Sequence, residues 1–258
     1  MTPETRFANA AGHRLEYVDY PAHQTARPPL VMLHEGLGSV AMWRDFPARV
    51  AHATGCRTIV YSRHGYGQSD VIEAPHGVDY MHREARLALP EFLAAIGVES
   101  PLLLGHSDGA SIALIHAGSG FPVAGLILMA PHCFVEDISI TSIAAAKVAA
   151  ETTDLCARLG RYHRDGRKTF YGWNDIWLHP DFRAWNIEDQ LPGIRCKVLA
   201  IQGEDDEYGT LAQIDAIARG AVNAADVDLL KLADCRHSPH KDQPEAVLAA
   251  IVNFVDSL

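Results

Sequence analysis

The chain has 258 residues, 48% of them hydrophobic, which is enough to bury the core of one α/β domain. Its 22 basic and 32 acidic residues give a net charge of -10, without a basic run that could follow a phosphate backbone. No apolar stretch reaches the roughly 20 residues that cross a bilayer, and the N-terminal sequence lacks the basic and apolar regions of a signal peptide. We therefore expect a cytoplasmic protein that binds neither nucleic acid nor a membrane.

The predicted elements begin with a hairpin and continue as strands that alternate with helices. Polar-apolar alternation at residues 6–8 and 15–20 flanks a turn-prone Ala-Ala-Gly sequence and predicts two antiparallel strands. Short apolar runs then predict strands buried on both faces, at residues 30–33, 58–61, 102–104 and 126–129. Helical periodicity over residues 80–96 and 107–118 completes an alternation that is typical of a parallel sheet covered by helices.

The alternation stops after residue 131. Residues 132–194 carry helical and aromatic segments without a strand run, and strand patterns resume at 197–201 and 227–230, before a last helix at about 245–254. The sequence therefore predicts one α/β core, residues 1–131 and 195–258, interrupted by a helical cap (lid) at 132–194. The aromatic residues of the cap could line a cavity or pack the cap onto the core; they are Phe170, Tyr171, Trp173, Trp177 and Trp185.

The strongest local pattern is Gly-x-Ser-x-Gly, formed by Gly105, Ser107 and Gly109 between a predicted strand and a predicted helix. This is the context of a nucleophile elbow, a sharp turn that raises a serine hydroxyl at a helix N-terminus, where the helix dipole favours developing negative charge. Glycines are expected there because larger side chains would collide where the strand meets the helix. Ser107 is therefore the candidate nucleophile.

A serine nucleophile requires a histidine base and an acid that orients it. An acidic cluster at residues 204–207 follows the predicted strand at 197–201, and His237 and His240 follow the next predicted strand. The carboxyl ends of strands in an open α/β sheet gather active-site residues. The order serine, acid, histidine is one of the known triad orders, so the three requirements agree.

Together these patterns resemble the α/β-hydrolase superfamily over nearly the whole chain, and in particular its serine esterases and lactonases with a helical cap. The resemblance implies the α/β-hydrolase fold, with a mostly parallel central sheet and helices on both faces. In the family the acid stands three residues after a strand-closing glycine, which here corresponds to Gly203 and Asp206. Asp205 is the first alternative and Glu204 the second.

The family histidine precedes a short run that leads to proline, and the sequence from His237 to Pro244 is similar. Arg236 stands where the family usually has glycine, which is a departure from the pattern. The resemblance thus implies a triad in which His237 is the base, with His240 as the alternative.

The resemblance also implies two donors for a tetrahedral oxyanion. One is the backbone N–H of Asp108, directly after the nucleophile, and the other is that of Gly36, in a loop HEGLGS at 34–39 that resembles the family's H-G-x-x-G-S. Glu35 replaces the usual glycine of this loop, and its carboxylate could select substrate charge in the pocket or lie exposed or salt-bridged. A second loop at 62–69 resembles R-x-G-x-G-x-S, and Arg63 in it is assigned to structure.

The function that the resemblance implies is hydrolysis of a small-molecule carboxylic ester, thioester or lactone through an acyl-enzyme intermediate. No cofactor and no metal are expected, because the histidines lack ligand spacing such as HExxH and the five scattered cysteines form no CxxC pair. One alternative is a C–C bond hydrolase or a cofactor-free lyase or synthase of the same fold. Another is a small-molecule receptor that retains the triad. The sequence leaves the oligomeric state open, with a homodimer among the alternatives.

Overall fold

An eight-stranded sheet is the framework of the protein, and its strands coincide with the apolar runs of the sequence. The computed structural model describes residues 3–24 and 26–258. The strands are β1 (Thr5–Ala10), β2 (His13–Tyr20), β3 (Leu30–Leu33), β4 (Thr58–Tyr61), β5 (Leu102–His106), β6 (Gly125–Met129), β7 (Lys197–Gly203) and β8 (Asp226–Leu232).

The strand order is β1-β2-β4-β3-β5-β6-β7-β8. β2 pairs antiparallel with both β1 and β4, and every other pair of neighbours is parallel. The predicted hairpin is confirmed, and Ala11 and Gly12 form its turn with φ values of 51° and 78°. Positive φ at both positions gives a turn whose twist matches that of the flanking strands.

The central strands β3, β4, β5 and β6 are buried along their whole length. Apolar clusters cover both faces of the sheet. Because both faces are covered, these strands have continuous apolar sequences instead of an alternating pattern. The predicted mostly parallel sheet is therefore confirmed.

Helices follow most of the strands. They are α1 (Phe46–Thr54), α2 (Tyr80–Arg83), α3 (Leu89–Ala95), α4 (Asp108–Gly118), α5 (Asp137–Thr152), α6 (Leu155–Leu159), α7 (Gly166–Trp177), α8 (Ala212–Gly220), α9 (Pro239–Asp242) and α10 (Pro244–Asp256).

The helix expected over residues 80–96 has a wider segment in its middle. A π-helical stretch, Glu84–Ala88, joins α2 to α3. Pro90 lies two residues after its end, as the second residue of α3. Proline has no N–H to donate and its ring crowds the carbonyl one turn earlier, so the helix widens before it.

The segment between β6 and β7 consists of α5, α6, α7 and two 3-10 turns, which matches the helical insertion of the predicted fold. His163 in this insertion accepts a hydrogen bond from the backbone N–H of Gly67 at Nδ1 (2.9 Å) and donates from Nε2 to the carbonyl oxygen of Leu37 (3.0 Å). The insertion is thus tied to the loops after β3 and β4. The assignment of residues 132–194 as a separate lid domain stays a prediction.

Among the described residues, no helix combines the length and the apolar character that a transmembrane span requires.

Candidate active site

Ser107 lies at the turn between β5 and α4, with φ of 53° and ψ of -119°. L-residues other than glycine rarely adopt positive φ, and such strain persists only where the surrounding structure imposes it. A Cβ on Gly105 would lie 2.4 Å from Cα of Ala110, and one on Gly109 would lie 2.2 Å from the carbonyl oxygen of Leu33. Both glycines are therefore required by the close approach of α4 to the sheet.

The structure brings Ser107, His237 and Asp206 into one hydrogen-bonded line. Nε2 of His237 lies 2.9 Å from Oγ of Ser107, and Nδ1 lies 2.8 and 2.9 Å from the two carboxylate oxygens of Asp206. All three come from the carboxyl-end edge of the sheet, since they follow β5, β7 and β8. The geometry matches a nucleophile, a base and an orienting acid.

Asp206 is buried, and three further donors surround its carboxylate. Nε2 of Gln202 donates at 2.6 Å, and the backbone N–H groups of Tyr208 and Gly209 donate at 2.8 and 3.3 Å. Burial by itself raises the pKa of Asp206, but the charge and hydrogen bond of His237 and the Tyr208 N–H outweigh it and lower this pKa below its usual value. The group is therefore ionised at neutral pH.

The alternative acids and the alternative base lie elsewhere. Glu204 and Asp205 are exposed, and neither contacts His237. His240 is buried against the rings of Trp43 and Phe46, with centroid distances of 4.9 and 5.2 Å. The geometry therefore favours Asp206 and His237 within their clusters.

The backbone of His237 is also held in place. Its carbonyl oxygen accepts a hydrogen bond from Nε2 of His106 (2.7 Å), and its N–H donates to Oε2 of Glu207 (3.2 Å). His106 is part of the elbow sequence, so the turn that carries Ser107 also fixes the loop that carries the imidazole. This contact fixes the distance between the two groups more tightly than the two loops could do separately.

The backbone N–H groups of Gly36 and Asp108 belong to residues that line the cavity at Ser107. Neither N–H donates to another group within residues 3–24 and 26–258. Asp108 is the first residue of α4, where an N–H has no acceptor within the helix. Both groups are thus in a position to donate to an oxygen bound at Ser107.

Arg63 and His34 hold the peptide group that contains the Gly36 N–H. The carbonyl oxygen of Glu35 accepts from Nη2 of Arg63 (3.0 Å), from Nδ1 of His34 (2.7 Å) and from the N–H of Gly38 (3.1 Å). In a trans peptide the C=O and the next N–H point in opposite directions, so fixing this oxygen also fixes the direction of the Gly36 N–H. Arg63 is fully buried and contacts the loop, as a structural role requires.

The carboxylate of Asp108 is bound within the wall of the site. Its oxygens accept from the hydroxyl of Tyr80 (2.8 Å) and from Nε1 of Trp177 (3.3 Å), and Nη2 of Arg63 lies 3.8 Å away. Burial raises the pKa of Asp108, although the Arg63 charge and the two hydrogen bonds act against it. The Trp177 contact also attaches α7 of the insertion to the nucleophile turn.

Glu35, the departure in the oxyanion loop, lies beside the elbow. Its Oε2 is 3.6 Å from Nδ1 of His106, and the side chain is 19% exposed. Burial alone would raise the pKa of Glu35. The neighbouring His106 and other nearby charges together outweigh burial, and they lower this pKa well below its usual range. Glu35 thus lies beside His106 and is also one of the residues that line the cavity at Ser107.

A cavity of about 180 Å³ opens onto Ser107. It is smaller than the roughly 300 Å³ at which pockets for drug-sized ligands begin. Its wall includes Ile143 of α5 and Trp173 and Trp177 of α7, so the insertion covers the nucleophile. A Cβ at residue 36 would lie 2.1 Å from Nε1 of Trp173, so any larger residue at Gly36 would collide with this wall.

The other aromatic residues of the insertion pack elsewhere. Phe170 and Trp185 are buried in the larger apolar cluster, and Tyr171 lies under the guanidinium of Arg167 at 4.7 Å from its ring centroid. Both uses expected for the aromatic residues therefore occur, cavity lining for two of them and packing for the rest.

A larger groove of about 680 Å³ lies beside the β1–β2 turn. His13 and His64 stack there with their ring centroids 3.5 Å apart. None of the triad or oxyanion residues lines this groove. The smaller cavity is therefore the candidate active site.

A model of the α/β-hydrolase family matches residues 30–250, which is most of the chain. The chain belongs to the α/β-hydrolase family. A search of curated proteins found no match.

Solved structures similar to this α/β hydrolase include three whose chains it covers almost completely. An enol-lactonase from Burkholderia xenovorans LB400 has 16% identity and a TM-score of 0.75, over 97% of this chain and 100% of that one. A proline iminopeptidase from Mycobacterium smegmatis has 18% identity and a TM-score of 0.75, over 98% of each chain. The esterase RhEst1 from Rhodococcus sp. ECU1013 has 19% identity and a TM-score of 0.72, over 98% and 99%. Identities this low show a shared fold.

Residues that contact the triad or its cavity but were missed from the sequence include His106, His132, Gln202 and Tyr208. The sequence could have indicated Gln202, because a polar residue at the end of an apolar strand is expected to have a buried hydrogen-bond partner. His132 follows the end of β6, at the sheet edge where sites gather. Tyr208 has no comparable signal: its backbone N–H contacts Asp206 and its ring packs 4.7 Å from the ring of His237, and neither contact follows from a local pattern.

The part of this α/β hydrolase that the structure describes has no cluster of three or more His, Cys, Asp or Glu arranged to hold a metal ion. All five cysteines are free thiols, and Cys56, Cys133 and Cys235 are buried.

Proposed function

We propose that the protein hydrolyses a small-molecule carboxylic ester, thioester or lactone through an acyl-enzyme intermediate on Ser107. The observation that carries this proposal is the hydrogen-bonded line from Oγ of Ser107 through the ring of His237 to Asp206. Membership of the α/β-hydrolase family supports it.

In the acylation step Oγ of Ser107 attacks the carbonyl carbon while Nε2 of His237 accepts the hydroxyl proton. The ionised carboxylate of Asp206 accepts a hydrogen bond from Nδ1–H, which keeps the lone pair on Nε2 and stabilises the imidazolium that forms. The imidazolium then gives its proton to the leaving alkoxide or thiolate as the C–O or C–S bond breaks.

The negative charge of the tetrahedral intermediate develops on the former carbonyl oxygen. The N–H groups of Gly36 and Asp108 donate to it, and their directions are set before the reaction by Arg63 and by the start of α4. A water molecule, deprotonated by His237, then attacks the acyl-enzyme and releases the acid.

We further propose that the helical insertion acts as a lid. Ile143, Trp173 and Trp177 close the cavity over Ser107 and exclude bulk water, which strengthens the hydrogen bonds to the oxyanion. The small cavity favours a small acyl group.

The test is turnover of 4-nitrophenyl butanoate with mass detection of an acylated protein. We expect Ser107→Ala to lower kcat by about 10⁴-fold or more and to abolish the adduct, since a residue that acts as part of a triad has no substitute. Ser119→Ala is the matched control, because Ser119 is exposed directly after α4 and its hydroxyl accepts a hydrogen bond from Nε of Arg86 (2.9 Å).

Three other outcomes separate the alternatives. Unchanged turnover in Ser107→Ala contradicts serine catalysis. Cleavage of a vinylogous ketone without any ester turnover indicates the C–C hydrolase alternative. Ligand binding with a single turnover or none indicates the receptor alternative.

A further inference from the structure

The cavity at Ser107 contains a polar side chain that the proposed reaction does not use. His132 follows the carboxyl end of β6, lines the cavity and is only 3% exposed. Its ring packs against the rings of Trp177 and His237, with centroid distances of 5.1 and 5.8 Å. The imidazole therefore lies within reach of any group bound at the nucleophile.

Neither ring nitrogen of His132 has a hydrogen-bond partner in the described residues. Nδ1 is fully enclosed, and the accessible nitrogen is Nε2. Polar groups in protein interiors are nearly always paired, so Nε2, the nitrogen of His132 that is not enclosed, is the one that a ligand in the cavity can pair.

The ring is neutral in the folded protein. Burial lowers the pKa of His132 to about 3, and the charge of His237 acts in the same direction. One nitrogen of a neutral imidazole carries the proton. Because an enclosed N–H without an acceptor is the costlier arrangement, the proton belongs on Nε2, where a ligand can accept it.

The charges around the cavity indicate which kind of ligand group could accept a hydrogen bond from His132. The lining residues include the acidic Glu35 and Asp108 but no lysine or arginine. An anionic group would therefore find no counter-ion here, whereas a neutral oxygen could accept from Nε2–H. The cavity volume of about 180 Å³ limits the group to a short chain.

We propose that His132 is a specificity-determining residue that donates from Nε2 to a second, neutral oxygen on the acyl part of the substrate. The substrate class is then short esters or lactones whose acyl chain carries an alkoxy, hydroxy or oxo group. This inference rests on the proposed function, because it places the acyl part in the cavity at Ser107.

The test compares 4-nitrophenyl methoxyacetate with 4-nitrophenyl butanoate, which differ by one ether oxygen in place of a methylene. The intrinsic reactivities of the two esters cancel when each variant is compared with the wild type on the same substrate. We expect His132→Phe to lower kcat/KM for the methoxyacetate about 3- to 10-fold more than for the butanoate, the range of one neutral hydrogen bond.

His132→Gln and His132→Asn make the result independent of how well the phenylalanine variant folds. The longer glutamine amide reaches the position of Nε2 and should keep the preference for the ether oxygen, whereas asparagine reaches only that of Nδ1 and should lose it. Equal losses on both esters in all three variants would overturn the role of His132. Absence of Ser107-dependent turnover of butanoate by the wild type would instead overturn the proposed function.

Discussion

At the scale of single residues, the environment of Asp206 determines which ring nitrogen of His237 carries the proton. Gln202 and the backbone N–H of Tyr208 both donate to this carboxylate, so it acts only as an acceptor. Nδ1 of His237 must then carry the proton that it shares with Asp206, and Nε2 presents a lone pair to Ser107. One carboxylate thus sets the tautomer that the proposed reaction requires.

Asp206→Asn should lower kcat by about 10⁴-fold while the protein stays folded. The asparagine amide donates to Nδ1, so the proton moves to Nε2, which then cannot accept the proton of Ser107. Steady-state kinetics on 4-nitrophenyl butanoate measures the effect.

Asp205→Asn is the matched control, because it removes the same charge from an exposed neighbour. We expect its kcat to stay within about twofold of the wild type, in keeping with the small effects of exposed charges. A large loss at 205 together with a small one at 206 would reverse the assignment of the acid.

At the scale of elements, the site depends on how closely α4 approaches the sheet. Gly109 lets the first turn of α4 lie against the end of β3, with no room for a Cβ beside the carbonyl oxygen of Leu33. The loop after β3 carries Gly36, and the first residue of α4 is Asp108, so this contact also sets the separation of the two proposed oxyanion donors.

Gly109→Ala should therefore destabilise the protein by about 1–3 kcal/mol, the usual range for overpacking, and lower kcat as α4 moves away from β3. Gly172→Ala in α7 is the matched control, because its Cβ would meet nothing closer than 3.7 Å. Alanine is the better helix former, so this control should stabilise the protein by about 0.5–1 kcal/mol.

Urea unfolding curves and ester kinetics on both glycine variants check these values. Equal stability of Gly109→Ala and the wild type would show that the contact between α4 and β3 is looser than the structure indicates.

At the scale of the whole molecule, several histidines are buried in their neutral form. Burial lowers the pKa of His34 and of His240 well below the usual histidine value, and it lowers that of His132 to about 3. Burial raises the pKa of Asp108 and Glu84, which favours the folded state on acidification and so acts in the opposite direction. Unfolded histidine binds protons at about pH 6.5, above the usual carboxyl values, so we expect the histidines to dominate the first part of an acid titration.

We therefore expect stability to fall as the pH drops below about 6.5, the unfolded histidine value. Below this pH, histidines of the unfolded chain bind protons while the buried ones of the folded protein do not. The contribution of the buried histidines to the free energy of unfolding is therefore fully present above about pH 6.5, and it is lost as the pH falls toward their pKa values in the folded protein. Each such group contributes up to about 1.4 kcal/mol per pH unit. Urea midpoints at pH 8, 6.5 and 5 measure the decline.

His132→Phe should show a shallower decline between pH 6.5 and 5, because it lacks one of these groups. A midpoint that stays constant from pH 8 to 5 in the wild type would contradict the burial of neutral histidines.

The fold was predictable from the sequence because its signals are local. The apolar runs of β3 to β6 and the glycines around Ser107 each reflect a constraint that acts within a few residues: burial on both faces of the sheet, or the space at a tight turn. The π-helical stretch before Pro90 was missed, because the same apolar periodicity fits a regular helix.

The choice among neighbouring site residues needed more than local patterns. Residues 204–206 are all acidic, and only the family spacing favoured Asp206. The structure separates them by burial, since Gln202 and His237 enclose the carboxylate of Asp206 while Asp205 stays exposed.

From the sequence by itself follow the elbow, the parallel sheet, the helical insertion and the candidate triad, because turn sterics, side-chain periodicity and strand-end motifs are written in short segments. Only the tertiary structure decided that Arg63 holds the oxyanion loop and that His132 faces the cavity, because their roles come from partners far away along the chain. Hydrogen bonds and burial depend on distance in space, and sequence spacing does not encode the distance between loops that meet at one edge of a sheet.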